Sequence, residues 1–341
     1  MTNALHRGTL TESAHLIAQG AISSTELIQS YLDQISRMNP TLNAFITVLG
    51  DQAMQAAKSA DEAVKNNKKL GSLHGVPIAI KDQVHTAGIP TTSASLIRSA
   101  FVPEKDATVV KRLKQAGAII IGKLNMTEFA MGDPITSHYG ITHNPWELGR
   151  DPGTSSTGAG SATAAFMTAA SIGEDTGGSI RGPAAHCGLA GIRPSWGLVS
   201  RFGLDGASWS LDTLGPLGRT VGDVAQVLQA IAGYDPSDPT TSQNTVPDYN
   251  SAMTGDISQM RIAVLHEFVD GPRAKLHPAV RQSIEDAIET FKSLGAVVDT
   301  ISIPNTNHAG TASRTISFVE RVSIHPEWIR ERPQDFHPNT R

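Results

Sequence analysis

The 341-residue chain has a single cysteine, Cys187, so no intrachain disulfide can form and a reducing compartment suits it. No stretch approaches the roughly 20 apolar residues that span a bilayer. Met1 to Arg7 lead into polar residues without the apolar segment of a secretory signal. There is no basic excess either. The 28 Lys and Arg against 32 Asp and Glu leave a net charge of −4, which favours neither nucleic acid nor an anionic membrane surface. The short Lys65, Lys68 and Lys69 group reads as a solvated helix end or turn. The 12 histidines show neither an H-E-x-x-H pattern nor another paired ligand spacing, so no metal site is expected. These absences lead to the expectation of a cytoplasmic protein with no cofactor, no nucleic-acid partner and no membrane partner.

Several catalytic signatures are missing too. There is no G-x-S-x-G elbow and no S-x-x-K. Gly117 to Leu124 mimics a phosphate-binding loop, but Leu124 stands where Ser or Thr is required, and the residues between suit a buried strand. Cys187 reads as a small buried residue rather than a nucleophile, and its neighbour His186 as structural or pocket-lining.

What is present is a strand–helix–strand rhythm, which predicts an α/β fold with a largely parallel sheet covered on both faces. Ser23 to Glu26 fits a capping box, followed by Leu27, Ile28, Tyr31, Leu32, Ile35 and Met38 at helical spacing, with Pro40 ending the run. Ala44–Val48 reads as a strand, Asp51–Val64 as an Ala-rich helix, and Val76–Ile80 as a buried strand ending at Lys81. Asp106 is read as the cap of a helix carrying Val109, Val110 and Leu113, ahead of a strand at Ala118–Ile121. Ser161–Ala170 suits a buried helix, and Thr220 caps a helix closed by Gly233. Ile262–Leu265, Pro278–Leu294 and Val297–Ile303 read as strand, helix and strand. From Pro304 the pattern thins, and Pro333–Arg341 closes no element. The expectation is one domain over 1–341, with a catalytic core over about 70–220 and a helical cover over about 9–68.

The chemistry concentrates in three places. Lys81 closes the apolar run Val76–Ile80, and Ser155 and Ser179 sit in Gly-rich blocks, Gly153–Gly158 and Asp175–Arg181. Amide hydrolysis without a metal needs a nucleophile, a base and oxyanion donors. Gly177-Gly178-Ser179 can offer a hydroxyl together with consecutive backbone N–H groups. Lys81 can serve as base if its pKa falls by roughly 3 units, within the reach of burial. Ser155 can relay a proton, since a hydroxyl both donates and accepts. Each block alone also has a plain reading: an ordinary Gly-rich turn, a strand-end lysine in solvent or paired with Asp82, and helix caps at Ser155 and Ser156.

Taken together, Gly153–Gly158, Asp175–Ala184 and Gly75–Asp82 resemble the amidase signature family of Ser-Ser-Lys hydrolases. Asn144-Pro145-Trp146, Gly197–Arg201 and Ser208–Asp212 follow the same family's segments, and the likeness runs from about Leu10 to the C-terminus. It is closest to stand-alone amidases and extends to the catalytic A-type chains of amidotransferases. The resemblance implies an α/β/α sandwich around a large mixed, mainly parallel sheet. It implies Lys81 as base, Ser155 as the bridging serine in a cis peptide, and Ser179 as acyl-enzyme nucleophile. It further implies an oxyanion hole of backbone N–H groups from Thr176, Gly177, Gly178 and Ser179, supported by Ser156, Asp175 and Arg181. Met131, Tyr139 and Trp209 are candidates for the substrate pocket or the core. Thr154 and Thr157 replace glycines common in the motif, Ala159 stands where serine is usual, and Glu174 replaces a small hydroxyl residue. A carboxylate near Lys81 would favour the charged amine. Family members usually continue well past the point matching Arg341, which implies a C-terminally shortened fold.

The leading expectation is an amidase cleaving a small-molecule carboxylic amide to acid plus ammonia or amine, with a homo-oligomer compatible. The rivals are the glutaminase subunit of a tRNA-dependent amidotransferase, and a catalytically silent relative that binds a ligand or partner.

Overall fold

The computed structural model describes residues 4–131, 133–271 and 274–341. The chain divides into two compact units, Met1–Asn250 with Ser317–Arg341, and Ser251–Ile316.

The first unit is built on a six-stranded sheet: β1 (Phe45–Val48), β2 (Pro77–Lys81), β3 (Ile119–Leu124), β4 (Ala170–Glu174), β5 (Ala190–Gly191) and β6 (Leu214–Gly218), in the order β1-β3-β2-β4-β6-β5. The two pairings made by β2, with β3 and β4, are parallel, and the three outer pairings are antiparallel. The sheet is therefore mixed, with its parallel part at the centre. Every residue of β2, β3, β4 and β6 is buried. That explains why these strands read as continuous apolar runs instead of alternating ones. Ile78, Ile80, Ile119, Ile121, Ile172 and Leu217 pack in one core with Leu27, Ile28 and Tyr31 of the helix Ser24–Leu42.

Local signals account for some of the helix starts. Ser23 accepts from the Glu26 N–H while Glu26 reaches back to Ser23, a complete capping box. Thr220 accepts from the Asp223 N–H and starts Val221–Ile231. Four expectations need correction. The first helix runs through Pro40 to Leu42, because Pro40 falls in its last turn and Asn43 closes it in a left-handed conformation. Asp106 does not cap Thr108–Gln115; its carboxylate accepts the Ala87 N–H at 2.8 Å and pairs with Lys114. The Ala-rich segment starts its helix earlier, at Thr157, and leaves it at Ala164, so that Ala170 opens β4. The chain after Pro304 is largely helical, at Thr306–Ile324 and Pro326–Glu331. Its apolar residues, such as Phe318, Val319 and Val322, are exposed and so give no single buried stripe to read.

In the second unit, β7 (Arg261–Leu265) and β8 (Val297–Ile301) pair in parallel, joined through the helix Pro278–Ser293. No helix among the described residues is long and apolar enough to cross a membrane.

Candidate active site

Parallel strands bring their carboxyl ends to the same edge of a sheet, where open α/β folds build their sites. Lys81 ends β2 and Glu174 ends the adjacent parallel strand β4. Both side chains are wholly buried, with Lys81 Nζ 3.1 Å from Glu174 Oε2. The amine also lies 2.7 Å from Ser155 Oγ and 3.3 Å from the Glu174 carbonyl. Ser155 sits in the loop before Thr157–Ala164, and its peptide bond with Thr154 is cis. Burial pushes the Lys81 amine below the ordinary lysine range, against the opposing pull of Glu174. Ser156 does not cap the following helix; its hydroxyl donates to the Glu174 carbonyl at 3.3 Å.

After Glu174 the chain turns into the loop that carries Ser179. Asp175 is buried at the base of this loop and accepts from Gly178 N at 2.7 Å, Ile180 N at 3.1 Å and Arg181 N at 3.3 Å. Arg181 adds two side-chain bonds to the same carboxylate. Burial alone would raise the Asp175 carboxyl, but Arg181 and the N–H groups of Ile180 and Gly178 outweigh it and hold it below the usual range. Ser179 is half-buried. The Gly178 N–H thus donates to the Asp175 carboxylate. The N–H groups of Thr176, Gly177 and Ser179 have no intramolecular acceptor among the described residues.

A third carboxyl lies beyond the sequence expectations. Asp212 Oδ2 accepts from Ala207 N at 2.7 Å and Ser208 N at 2.8 Å, and Oδ1 lies 2.7 Å from Thr176 Oγ1. Thr176 Oγ1 is equally 2.7 Å from Glu174 Oε1. Burial and then the Glu174 charge push Asp212 up to about 7. The sequence signal for Asp212 is its place at the end of the Ser208–Asp212 segment. Glu320 holds that segment through the hydroxyls of Ser208 and Ser210 and the Ser210 N–H.

The other candidates fall elsewhere. Lys81 does not pair with Asp82, whose carboxylate sits 3.2 Å from the buried Lys123 Nζ. This places the lysine of the phosphate-loop mimic inside β3 as half of an ion pair. Cys187 is buried, and burial followed by the Asp151 charge pushes its thiol up to about 12, which suits packing rather than nucleophilic attack. Met131 is half-buried and Tyr139 packs against the small cluster of Ala94, Met126, Ala130 and Ala207. Trp209 is 51% exposed and lines a cleft with Arg201, Phe202, Gly206, Asp212 and Ile324, so it is not a core residue. Neither Met131 nor Trp209 enters the hydrogen-bond network around Lys81 among the described residues. No group of three or more His, Cys, Asp or Glu suited to a metal occurs among them.

The family model for amidases matches residues 26–336. The chain is 45% identical over 307 residues to the A-type chain of the glutamyl-tRNA(Gln) amidotransferase of Chloroflexus aurantiacus, covering 89% of this chain and 62% of that protein. It thus spans somewhat under two thirds of that relative's length. Among solved structures, it superposes on the corresponding glutamyl-tRNA(Gln) amidotransferase chain of Thermotoga maritima with a TM-score of 0.82 at 35% identity, covering 97% of this chain and 70% of that one. The native peptide amidase of Stenotrophomonas maltophilia gives a TM-score of 0.85 at 33% identity, covering 95% of this chain and 68% of that one. With this sheet, these motifs in this order and these likenesses, the chain belongs to the amidase family.

Proposed function

We propose that this protein is an amide hydrolase working through a Ser179 acyl-enzyme, with Ser155 as proton relay and Lys81 as base, in the cytoplasm. The observation that carries this reading is the buried Lys81 amine 2.7 Å from Ser155 Oγ, at the strand edge from which the Ser179 loop departs. Ser179 Oγ attacks the amide carbonyl, its proton passes to Ser155 Oγ, and the Ser155 proton passes to the Lys81 lone pair. The backbone N–H groups of Thr176, Gly177 and Ser179 receive the developing oxyanion. The proton returns by the same route to the leaving nitrogen, and water then releases the acid. Burial supports the role of Lys81, because a desolvated amine keeps its lone pair closer to neutral pH.

Intact mass after incubation with a fluorophosphonate, with mapping of the labelled peptide, tests this. One adduct on Ser179, lost in Ser179→Ala and strongly slowed in Lys81→Met, is the expected result. Unchanged labelling in Ser179→Ala overturns the assignment.

The identity to the tRNA-dependent amidotransferase chains favours a second reading, the glutaminase subunit of such a complex. It predicts copurification with another protein chain, with ammonia released from glutamine only in that complex. Amide turnover by the isolated chain supports the stand-alone reading instead.

A further inference from the structure

Thr176 Oγ1 lies 2.7 Å from Glu174 Oε1 and 2.7 Å from Asp212 Oδ1, and all three side chains are buried. A hydroxyl carries one proton and can donate to only one of two acceptors. With both carboxyls ionised, one of these contacts would set lone pair against lone pair in a buried site. One carboxyl therefore carries a proton. The other oxygens show which. Glu174 Oε2 faces the Lys81 amine, whereas among the described residues Asp212 Oδ2 receives only the backbone N–H groups of Ala207 and Ser208.

We propose that Asp212, Thr176 and Glu174 form a chain that holds one proton and sets the charge facing Lys81, making Glu174 and Asp212 positioning residues for the base. Asp212 Oδ1–H donates to Thr176 Oγ1, whose own proton is donated to Glu174 Oε1, leaving Glu174 as the one ionised carboxylate of this chain, against the amine. This rests on the reading of Lys81 as base. Direction and cause agree for Asp212, since burial and the Glu174 charge both favour its neutral form.

The contacts of Lys81 suit either charge state. As an ammonium it donates to Ser155 Oγ, the Glu174 carbonyl and Glu174 Oε2. As an amine it donates to the two Glu174 oxygens and accepts the Ser155 hydroxyl. Proton transfer from Ser155 Oγ–H to Nζ thus forms an N–H bond without rearranging a neighbour, and the ammonium forms against a waiting carboxylate. Glu174 makes the amine a stronger base and delays its release from the proton as pH rises. Loss of the Asp212 proton adds a second negative charge and delays that release further. Other charged groups near the cluster include Asp175 beside Lys81, Arg321, which faces both Glu174 and Asp212, Arg193 against Asp175 and the Leu211 carbonyl, and Glu320 on Ser208 and Ser210.

Two measurements test this. The first is the pH profile of the fluorophosphonate labelling rate. Asn at 212 keeps an acceptor for Ala207 and Ser208 and gives Thr176 a permanent donor, mimicking the protonated acid. In the wild type, coupled titration spreads the rise in rate over a broad pH range. Asp212→Asn sharpens it to a one-proton rise at lower pH. Glu174→Gln moves it down by at least one pH unit and lowers the plateau severalfold. Thr176→Ser keeps the wild-type profile and Thr176→Val does not. A wild-type profile in Asp212→Asn overturns the proposal. The second is infrared difference spectroscopy, in which a protonated buried carboxyl titrates near neutrality in the wild type and in Ser179→Ala, and is lost in Asp212→Asn. Absence of that band in the wild type overturns the proposal even where labelling is intact. A band that persists while Ser179 proves not to be labelled leaves the carboxyl chain standing and removes the triad.

Discussion

Arg181 grips Asp175 with two side-chain bonds, Nε to Oδ2 and Nη2 to Oδ1, each 3.0 Å long. The residues between them carry Gly178 and Ser179, so this bidentate pair closes the loop on which the proposed nucleophile stands. Lysine cannot reproduce the fork. Arg181→Lys is expected to slow Ser179 labelling by about tenfold, roughly 1.4 kcal/mol. Asp175→Ala also strands the Gly178 and Ile180 N–H groups, at about 1–3 kcal/mol for a buried unpaired group. It should lower the melting temperature as well as the labelling rate. Equal melting of the wild type and Asp175→Ala would contradict this account.

Removing the proposed base should slow labelling, and it also leaves the buried Glu174 carboxylate without its partner, at about 3–5 kcal/mol of stability. Lys81→Met fills nearly the same buried volume but offers no lone pair, and general-base catalysis is worth about 10²–10⁴-fold. Labelling of Ser179 is expected to fall by that order while the far-ultraviolet circular dichroism stays unchanged.

The Asp212 carboxyl also has a thermodynamic signature. Its pKa in the fold, about 7, stands above the ordinary aspartate value of 3.8. A raised acid stabilises the fold fully below its unfolded pKa, and the contribution fades as pH climbs towards the folded value. Measured against Asp212→Asn in urea titrations, the wild type should lose stability from about pH 4 to about pH 7, by at most about 1.4 kcal/mol per pH unit. A constant difference across that range would argue for an ionised Asp212.

Two glycines in the signature blocks should separate by their surroundings. A Cβ on Gly158 would lie 2.3 Å from the Ala44 carbonyl oxygen and 2.7 Å from Asn125 N, a clash with backbone that cannot yield. One on Gly177 meets nothing within 4 Å among the described residues. Gly158→Ala should therefore fail to give soluble protein, whereas Gly177→Ala should fold with a wild-type melting temperature. A folded Gly158→Ala would show that β1 and the helix Thr157–Ala164 can separate locally.

Much of the site is legible in the sequence because its residues lie in contiguous motifs. Lys81 at the end of an apolar run, and the serines in Gly-rich blocks, can be read from neighbours in sequence. Capping at Ser23 and Thr220 is equally local. Glu174 stands out only as a departure from the family pattern. Asp212 is marked only by its segment, and its link to Glu174 through Thr176 is a contact between residues far apart in sequence that no local spacing records. The helices after Pro304 escape for a different reason, since Phe318, Val319, Val322 and other apolar residues there are exposed and leave no single buried stripe to detect. That the Gly178 N–H donates to Asp175 escapes the sequence, because a backbone donor's acceptor depends on the turn it closes.

The position of β2 at the centre of the sheet has a consequence for how the chain is made. Lys81 leaves the ribosome 93 residues ahead of Glu174, the carboxylate it contacts. Until β3 and β4 have both emerged, this strand has an open backbone on each side and its lysine is a hydrated cation. The nascent chain must therefore carry an adhesive apolar segment through nearly a hundred residues of synthesis. Chaperone contact during translation should accordingly be heaviest while residues 77–170 emerge, and should fall once β4 closes against β2.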